Sequence, residues 1–410
     1  MIVTAHLHFA GSRHFFLISL WIVLLLSGCG STMNPFDMRI IESMSTQISD
    51  ILVKEEEIVY DKEELDALKA ATRIPLKWKN KVSENRIASF SLVHENGALY
   101  AADEEGKLTK YDAVTGKEIW QVKTKNKFSA GVGIGEGLIL VGTFEGEVLA
   151  YNDSGHMLWR AMVTSEILSP PQIQNNIVVV RTLDGRIFAL DAIDGKRKWI
   201  YQGATPALTV RSTAGVTLAH GAVFAGFPGG KLVAMSLFNG NVGWEVAVSQ
   251  PRGVTELERM TDITSSPAIN NRFVCAVAYQ GRVGCFTVND GSQIWARESS
   301  SSAGLTMDND YVYVTEDKGV IAAYDIQTGA GMWKQSKLGS KKLTRPILMG
   351  QYLIIADDQG YVNILRNYDG ALMARATTDG SSISAMASAL PDGFAVQTTE
   401  GGVYTFSTQF

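Results

Sequence analysis

Few residues in this 410-residue chain have the type and spacing to do chemistry. Away from the amino end its histidines are His94, His156 and His220, too far apart to form a cluster. No HExxH, no CxxC and no glycine-rich phosphate loop ending in lysine occurs. Runs such as GEGLILVG carry glycines at turns, and no helix follows them, so they are not a dinucleotide fingerprint. The formal net charge is −5 without a basic stripe, which gives phosphate-backbone binding no electrostatic support. The expectation is a protein that is no enzyme, binds no metal or cofactor and no nucleic acid. Cys275 and Cys285 flank the turn Tyr279-Gln280-Gly281-Arg282. A two-residue turn would send them to opposite faces; a three-residue turn would set them opposite each other. A disulfide is open to them, but buried free thiols are the expected state, because cysteine often packs as a small hydrophobe.

Cys29 is the one residue whose surroundings suggest a modification. Arg13 and His14 precede an apolar run over residues 15–26, followed by Leu26-Ser27-Gly28-Cys29. The run is short for a spanning helix and has the length of a signal-peptide core. Its ending resembles a bacterial lipobox, which implies removal of residues 1–28 and acylation of the Cys29 thiol and new amino group. Gly30, where an Asp would signal retention, resembles lipoproteins sent on to the outer membrane. Losing the signal removes Arg13 and no acid, so the mature charge becomes −6. Residues 29–73, with the acidic stretch 50–70, read as a solvated tether spanning on the order of 40 Å.

The body is built from repeats. Trp78, Trp120, Trp159, Trp199, Trp244, Trp295 and Trp333 recur at spacings of 42, 39, 40, 45, 51 and 38. The last six close related phrases, among them GKLTKYDAVTGKEIW, GRIFALDAIDGKRKW, GRVGCFTVNDGSQIW and GVIAAYDIQTGAGMW. A seventh copy, GYVNILRNYDGALMA, has Ala374 in the Trp position, and an eighth, GGVYTFSTQF, stops before reaching it. Within one period, residues 129–135, 138–144, 147–152 and 156–163 alternate and are separated by Gly turns, which reads as four antiparallel strands. Four-stranded sheets at this period make a β-propeller. The fold expected over residues 74–410 is all-β, an eight-bladed propeller. Its last copy lacks a fourth strand, and residues 74–82 around Trp78 resemble an isolated one. That strand should complete blade eight, so that no edge is left unpaired. Each Trp should pack between blades and donate its indole N–H to backbone.

These phrases resemble the quinoprotein-type repeat of dehydrogenases that bind pyrroloquinoline quinone (PQQ). With the lipobox and eight blades, the chain more closely resembles the BamB family, lipoproteins of the outer-membrane β-barrel assembly machinery. The segment TELERMTDITSSPAINNRFVCAVAYQGRVGCFTVNDGSQIW looks like that family's fifth blade with its preceding loop. The resemblance implies lipid anchoring at the periplasmic face of the outer membrane and direct binding to BamA, which folds and inserts other barrels. Loop geometry points to the same place. The Trp244–Trp295 interval is the longest, and its excess lies in residues 249–262. Such a loop projects from one face of the disc, where a rigid scaffold can present binding residues. Arg211 should begin the innermost strand of blade four and Asp262 that of blade five, near the channel mouth. Leu208, Val210, Glu256, Glu258 and Arg259 should surround them.

In BamB relatives the partner-binding run is Leu-x-Leu-Arg-like with an acid before blade five. That maps onto Leu208, Val210, Arg211 and Asp262, with Val for the second Leu and Thr264 where a second acid often stands. An ion pair between Arg211 and Asp262 that bridges two blades is the structural alternative. Unfolded outer-membrane proteins are a further possible partner, through exposed strand edges. The competing functions are a PQQ-dependent dehydrogenase and a propeller that binds some other periplasmic ligand. The first would call for adjacent cysteines and Ca²⁺-binding acids, whereas Cys275 and Cys285 are ten apart.

Overall fold

The computed structural model describes residues 72–203, 206, 208–340 and 342–408. The expected signal peptide, Cys29 and the tether up to residue 71 lie outside them.

Eight sheets succeed one another along the chain. Blade one consists of Val93–Glu95, Ala98–Ala102, Lys107–Asp112 and Glu118–Lys123, paired in order and antiparallel. Blades two to seven repeat this plan over residues 133–162, 172–202, 216–247, 268–298, 304–335 and 347–377. The two middle strands of each blade are buried on both faces, as continuous runs of Val, Ile, Leu and Ala require. The outer strands alternate and leave one face wet. First strands are shorter than their apolar runs suggest, because neighbouring blades converge toward the axis. Around blade two, a Cβ on Gly131 would lie 2.5 Å from Ser91 and one on Gly133 would lie 1.9 Å from the Pro171 carbonyl. The regular first strand of that blade therefore begins only at Gly133, after an isolated bridge between Phe128 and Thr143.

The buried side chains do not form one core. They divide into eight clusters, each filled from two adjacent blades. At seven of these joints a Trp completes the contact. Every outer strand shifts register beside the Trp position, and this bulge turns the indole toward the next blade. Trp78 donates its indole N–H to the Ala113 carbonyl (3.1 Å) and Trp120 to Asp153 (2.9 Å). Trp159 donates to Ala192 (2.8 Å) and Trp199 to Leu237 (2.8 Å). Trp244 reaches Val288 (3.0 Å), Trp295 reaches Ile326 (2.8 Å) and Trp333 reaches Asn367 (2.9 Å). Each ring lies against a turn glycine of the next blade. A Cβ on Gly329 would stand 2.5 Å from the Trp295 ring, and one on Gly370 would stand 2.5 Å from Trp333.

The ends of the chain meet as the sequence suggests. Strand β2 (Leu76–Lys81) pairs antiparallel with Gly402–Ser407 and supplies the missing fourth strand of blade eight. The joint between blades seven and eight has Ala374 where a Trp would stand. A second device, not foreseen from the repeats, serves this joint. Strand β1 (Thr72–Arg73) pairs in parallel with Ala374 and Arg375, making blade seven five-stranded. Ile74 then buries against Ile354, Ala374, Ile383 and Phe406, where the absent indole leaves room. One short segment thus stitches blades seven and eight together.

The cysteines correct an expectation. Ala278 N–H bonds to the Arg282 carbonyl (3.0 Å), which leaves the three-residue turn 279–281 and sets Cys275 directly opposite Cys285. Their Cα atoms are 4.1 Å apart and the sulfurs are bonded, so the buried pair is a disulfide and not two free thiols.

Two outcomes are expected on chemical denaturation. Gly329→Ala should cost about 1–3 kcal/mol more than Gly97→Ala. Both glycines have positive φ (67° and 76°), but only Gly329 touches an indole, and Gly97 has open space around it. Replacing both Cys275 and Cys285 by Ala should cost up to about 3 kcal/mol, from the loop closure lost to the unfolded chain.

Candidate docking face

Two loops carry the residues singled out from the sequence. Residues 203–215 lead into blade four and residues 248–267 into blade five. Arg211 and Asp262 lie in these approach loops, ahead of the innermost strands Val216–Ala219 and Ala268–Ile269 that they were expected to begin. The crowding that shortens the inner strands displaces them.

Asp262 is the organising residue. It is only 3% exposed. One carboxylate oxygen accepts the Val210 N–H (2.7 Å) and the other the Gly229 N–H (3.1 Å). Its own carbonyl accepts the Tyr279 N–H (2.8 Å). A single residue therefore fastens the loop before blade four and the turns within blades four and five. Behind it lies Arg181, buried at the end of a blade-three strand with its guanidinium 5.1 Å from the centre of the Phe227 ring. Burial pulls its pKa down to about 10, and the Asp262 charge partly offsets this. Arg181 Nη1 has no protein partner. It sits beside a small cavity of about 30 Å³, lined also by Thr209 and Val210.

The structural alternative, an ion pair between Arg211 and Asp262, does not form. Arg211 is exposed and pairs with Glu166 (2.6 Å), in the loop before blade three. Leu208 is 40% exposed beside it, and Val210 is half-buried because its N–H is held by Asp262. Glu256, Glu258 and Arg259 are all exposed. Glu258 shapes its own loop: it accepts the N–H groups of Val254 (2.8 Å) and Thr255 (3.0 Å), while Thr255 Oγ1 accepts the Glu258 N–H (3.2 Å). Those backbone bonds hold its carboxyl below the ordinary glutamate range. Thr264, at the position of the missing acid, is buried and donates to the Ser302 carbonyl (3.0 Å) in the loop before blade six.

The structure thus joins Leu208, Val210 and Arg211 to Asp262 through one backbone bond and keeps 256–259 as a separate exposed lobe. Sequence reasoning missed Glu166 and Arg181, although the charge that ends the apolar run Ile177-Val178-Val179-Val180-Arg181 was a visible signal. It also missed Val254 and Leu257, apolar side chains 95% and 64% exposed on the lobe. The lobe therefore offers grease as well as charge.

A family model described as the outer membrane protein assembly factor BamB matches residues 104–335. A relative of that name from Nitrosomonas eutropha is 50% identical over 410 residues, covering 100% of this chain and 98% of its own. One from Burkholderia pseudomallei is 40% identical over 330 residues, covering 80% and 87%. The crystal structure of BamB from Moraxella catarrhalis superposes with a TM-score of 0.73 at 26% identity, covering 80% of this chain and 100% of that one. A quinohemoprotein alcohol dehydrogenase from Comamonas testosteroni reaches a TM-score of 0.68 at 13% identity, over 82% and 76%, a likeness of fold alone. With a family model spanning more than half its length and relatives this similar, the chain belongs to the family of the outer membrane protein assembly factor BamB.

Proposed function

We propose that the chain is a non-catalytic scaffold of outer-membrane protein assembly. Tethered by a lipidated Cys29 at the periplasmic face of the outer membrane, it docks on periplasmic domains of BamA with the face that carries residues 203–215 and 249–262. The observation that carries this reading is the buried Asp262 carboxylate. It fixes the backbone under Leu208, Val210 and Arg211, so these side chains are presented without loop ordering at the moment of binding. Arg211 keeps N–H donors beyond the single bond to Glu166, and a planar guanidinium can bridge a partner's carboxylate while staying paired. Glu256, Arg259, Val254 and Leu257 add a mixed charged and apolar lobe beside it. A disulfide in blade five suits an oxidising compartment.

The second part of the proposal concerns clients. The outer strand of blade one exposes Ile119 and that of blade two exposes Met157, Leu158 and Met162; each strand has one open edge, a surface that fits an extended, unfolded barrel strand by β-augmentation.

Capture of BamA from solubilised membranes by the tagged chain tests the first part. Arg211→Ala and Leu208→Asp should lose most capture at unchanged stability, because an exposed ion pair contributes about 1 kcal/mol or less. Asp262→Ala should lose capture together with about 2–5 kcal/mol, since two part-buried N–H groups and the buried Arg181 lose their acceptor and counter-charge. Wild-type capture by both Arg211→Ala and Leu208→Asp would move the docking site elsewhere. Loading with PQQ and Ca²⁺ should give no dye reduction.

A further inference from the structure

A cavity of about 590 Å³ opens where the approach loops of the blades converge, a size common among small-molecule sites. Blades one and three to eight contribute to its wall, which is rich in hydroxyls, including Ser91, Thr213, Ser265, Ser266, Ser302 and Ser384. Into this wall comes one guanidinium. Arg345 directly precedes Pro346 and the first strand of blade seven; at the matching step before a proline, blades three and five have Pro170 and Ser266. Its base is rigid. The neighbouring Thr344 is tied to Ala356 by two bonds (2.9 and 3.0 Å), and its carbonyl accepts Thr315 Oγ1 (2.8 Å).

Arg345 is partly buried and, among the described residues, pairs with no carboxylate and no carbonyl. The other buried arginines differ: Arg375 faces Asp357 at 3.7 Å, and Arg181 feels Asp262. Three acids also line the cavity, and each is occupied elsewhere. Glu316 accepts from Ser299, Tyr324 and Lys334, Asp317 from Ser300 and Ser302, and Asp358 from Ser340. Burial alone pulls the Arg345 pKa down to about 10, so the group stays charged at neutral pH, and no carboxylate offsets its partial desolvation. The Ser265 and Ser266 hydroxyls likewise donate to no protein acceptor among the described residues. Gly304 brings the parts together: a Cβ there would lie 2.6 Å from Ser265 Oγ and 3.6 Å from Arg345 Cδ, so the serine and the arginine stem meet over the same bare backbone.

We propose that this channel mouth binds a small solute through a carboxylate or phosphate group, with Arg345 as the fixed cation and Ser265 and Ser266 as hydroxyl donors. A half-buried guanidinium with free N–H donors, beside the free hydroxyls of Ser265 and Ser266, is complementary to an oxyanion.

Calorimetry on the full chain at constant ionic strength, with inorganic phosphate and citrate as the probes, tests this. One-to-one uptake of at least one is expected, and which one is taken separates phosphate-bearing from carboxylate-bearing solutes. Arg345→Gln should weaken uptake at least about tenfold, a typical loss for a charge-assisted contact. Arg160→Gln, on an exposed outer strand, should leave it unchanged. Ser266→Asp provides an independent variant should Arg345→Gln not fold: an acid in the wall should also abolish uptake. Absence of uptake by the wild-type chain, or equal affinity in folded Arg345→Gln or Ser266→Asp, would overturn the proposal.

Discussion

Every joint but one in this ring rests on the same contact, an indole laid on a glycine turn of the following blade. Two demands fall on that glycine together. The turn needs positive φ, as at Gly116, Gly195 and Gly329, and the ring needs a surface without a Cβ. The indole N–H finds a carbonyl from the same turn region, so the buried polar atom is satisfied by the blade that buries it. Because the apolar clusters lie between blades, no blade has a core of its own, and the order of the whole depends on the ring being shut.

The joint without a Trp shows how strong that requirement is. With Ala374 in the Trp position, the amino-terminal segment supplies the substitute. Thr72 and Arg73 extend blade seven, Ile74 fills the joint, and Leu76–Lys81 closes blade eight. Closure fixes the approach loops in space. On one face they meet in a small arrangement of buried charge, where Asp262 ties two loops and two turns and Arg181 lies beneath. The exposed residues above it are held by backbone bonds, which is how a loop becomes a surface that a partner can read.

Much of this was legible in the sequence, for reasons specific to repeats. The spacing of the Trp residues, the truncated eighth phrase and the orphan strand around Trp78 together require eight blades and a shared terminal sheet. Strand β1 was not legible, since two residues show no alternation and their pairing follows from an absence at Ala374. The cysteine pairing turned on one residue of turn length, which spacing alone leaves open. The site was half legible. Arg211 and Leu208 are exposed where expected, but an acid in a polar insertion reads as solvated, and Asp262 is buried by N–H groups from elements up to 52 residues away. Arg345 looks in sequence like any arginine before a proline; only the ring brings it to the axis.

Hydrogen exchange of the full chain, alone and mixed with BamA, tests the proposed docking face most directly. Docking by the approach-loop face should slow exchange in residues 208–213 and 250–260 and leave the opposite turns at 113–116 and 192–195 unchanged. Protection at those turns, or along the outer strands alone, would contradict it.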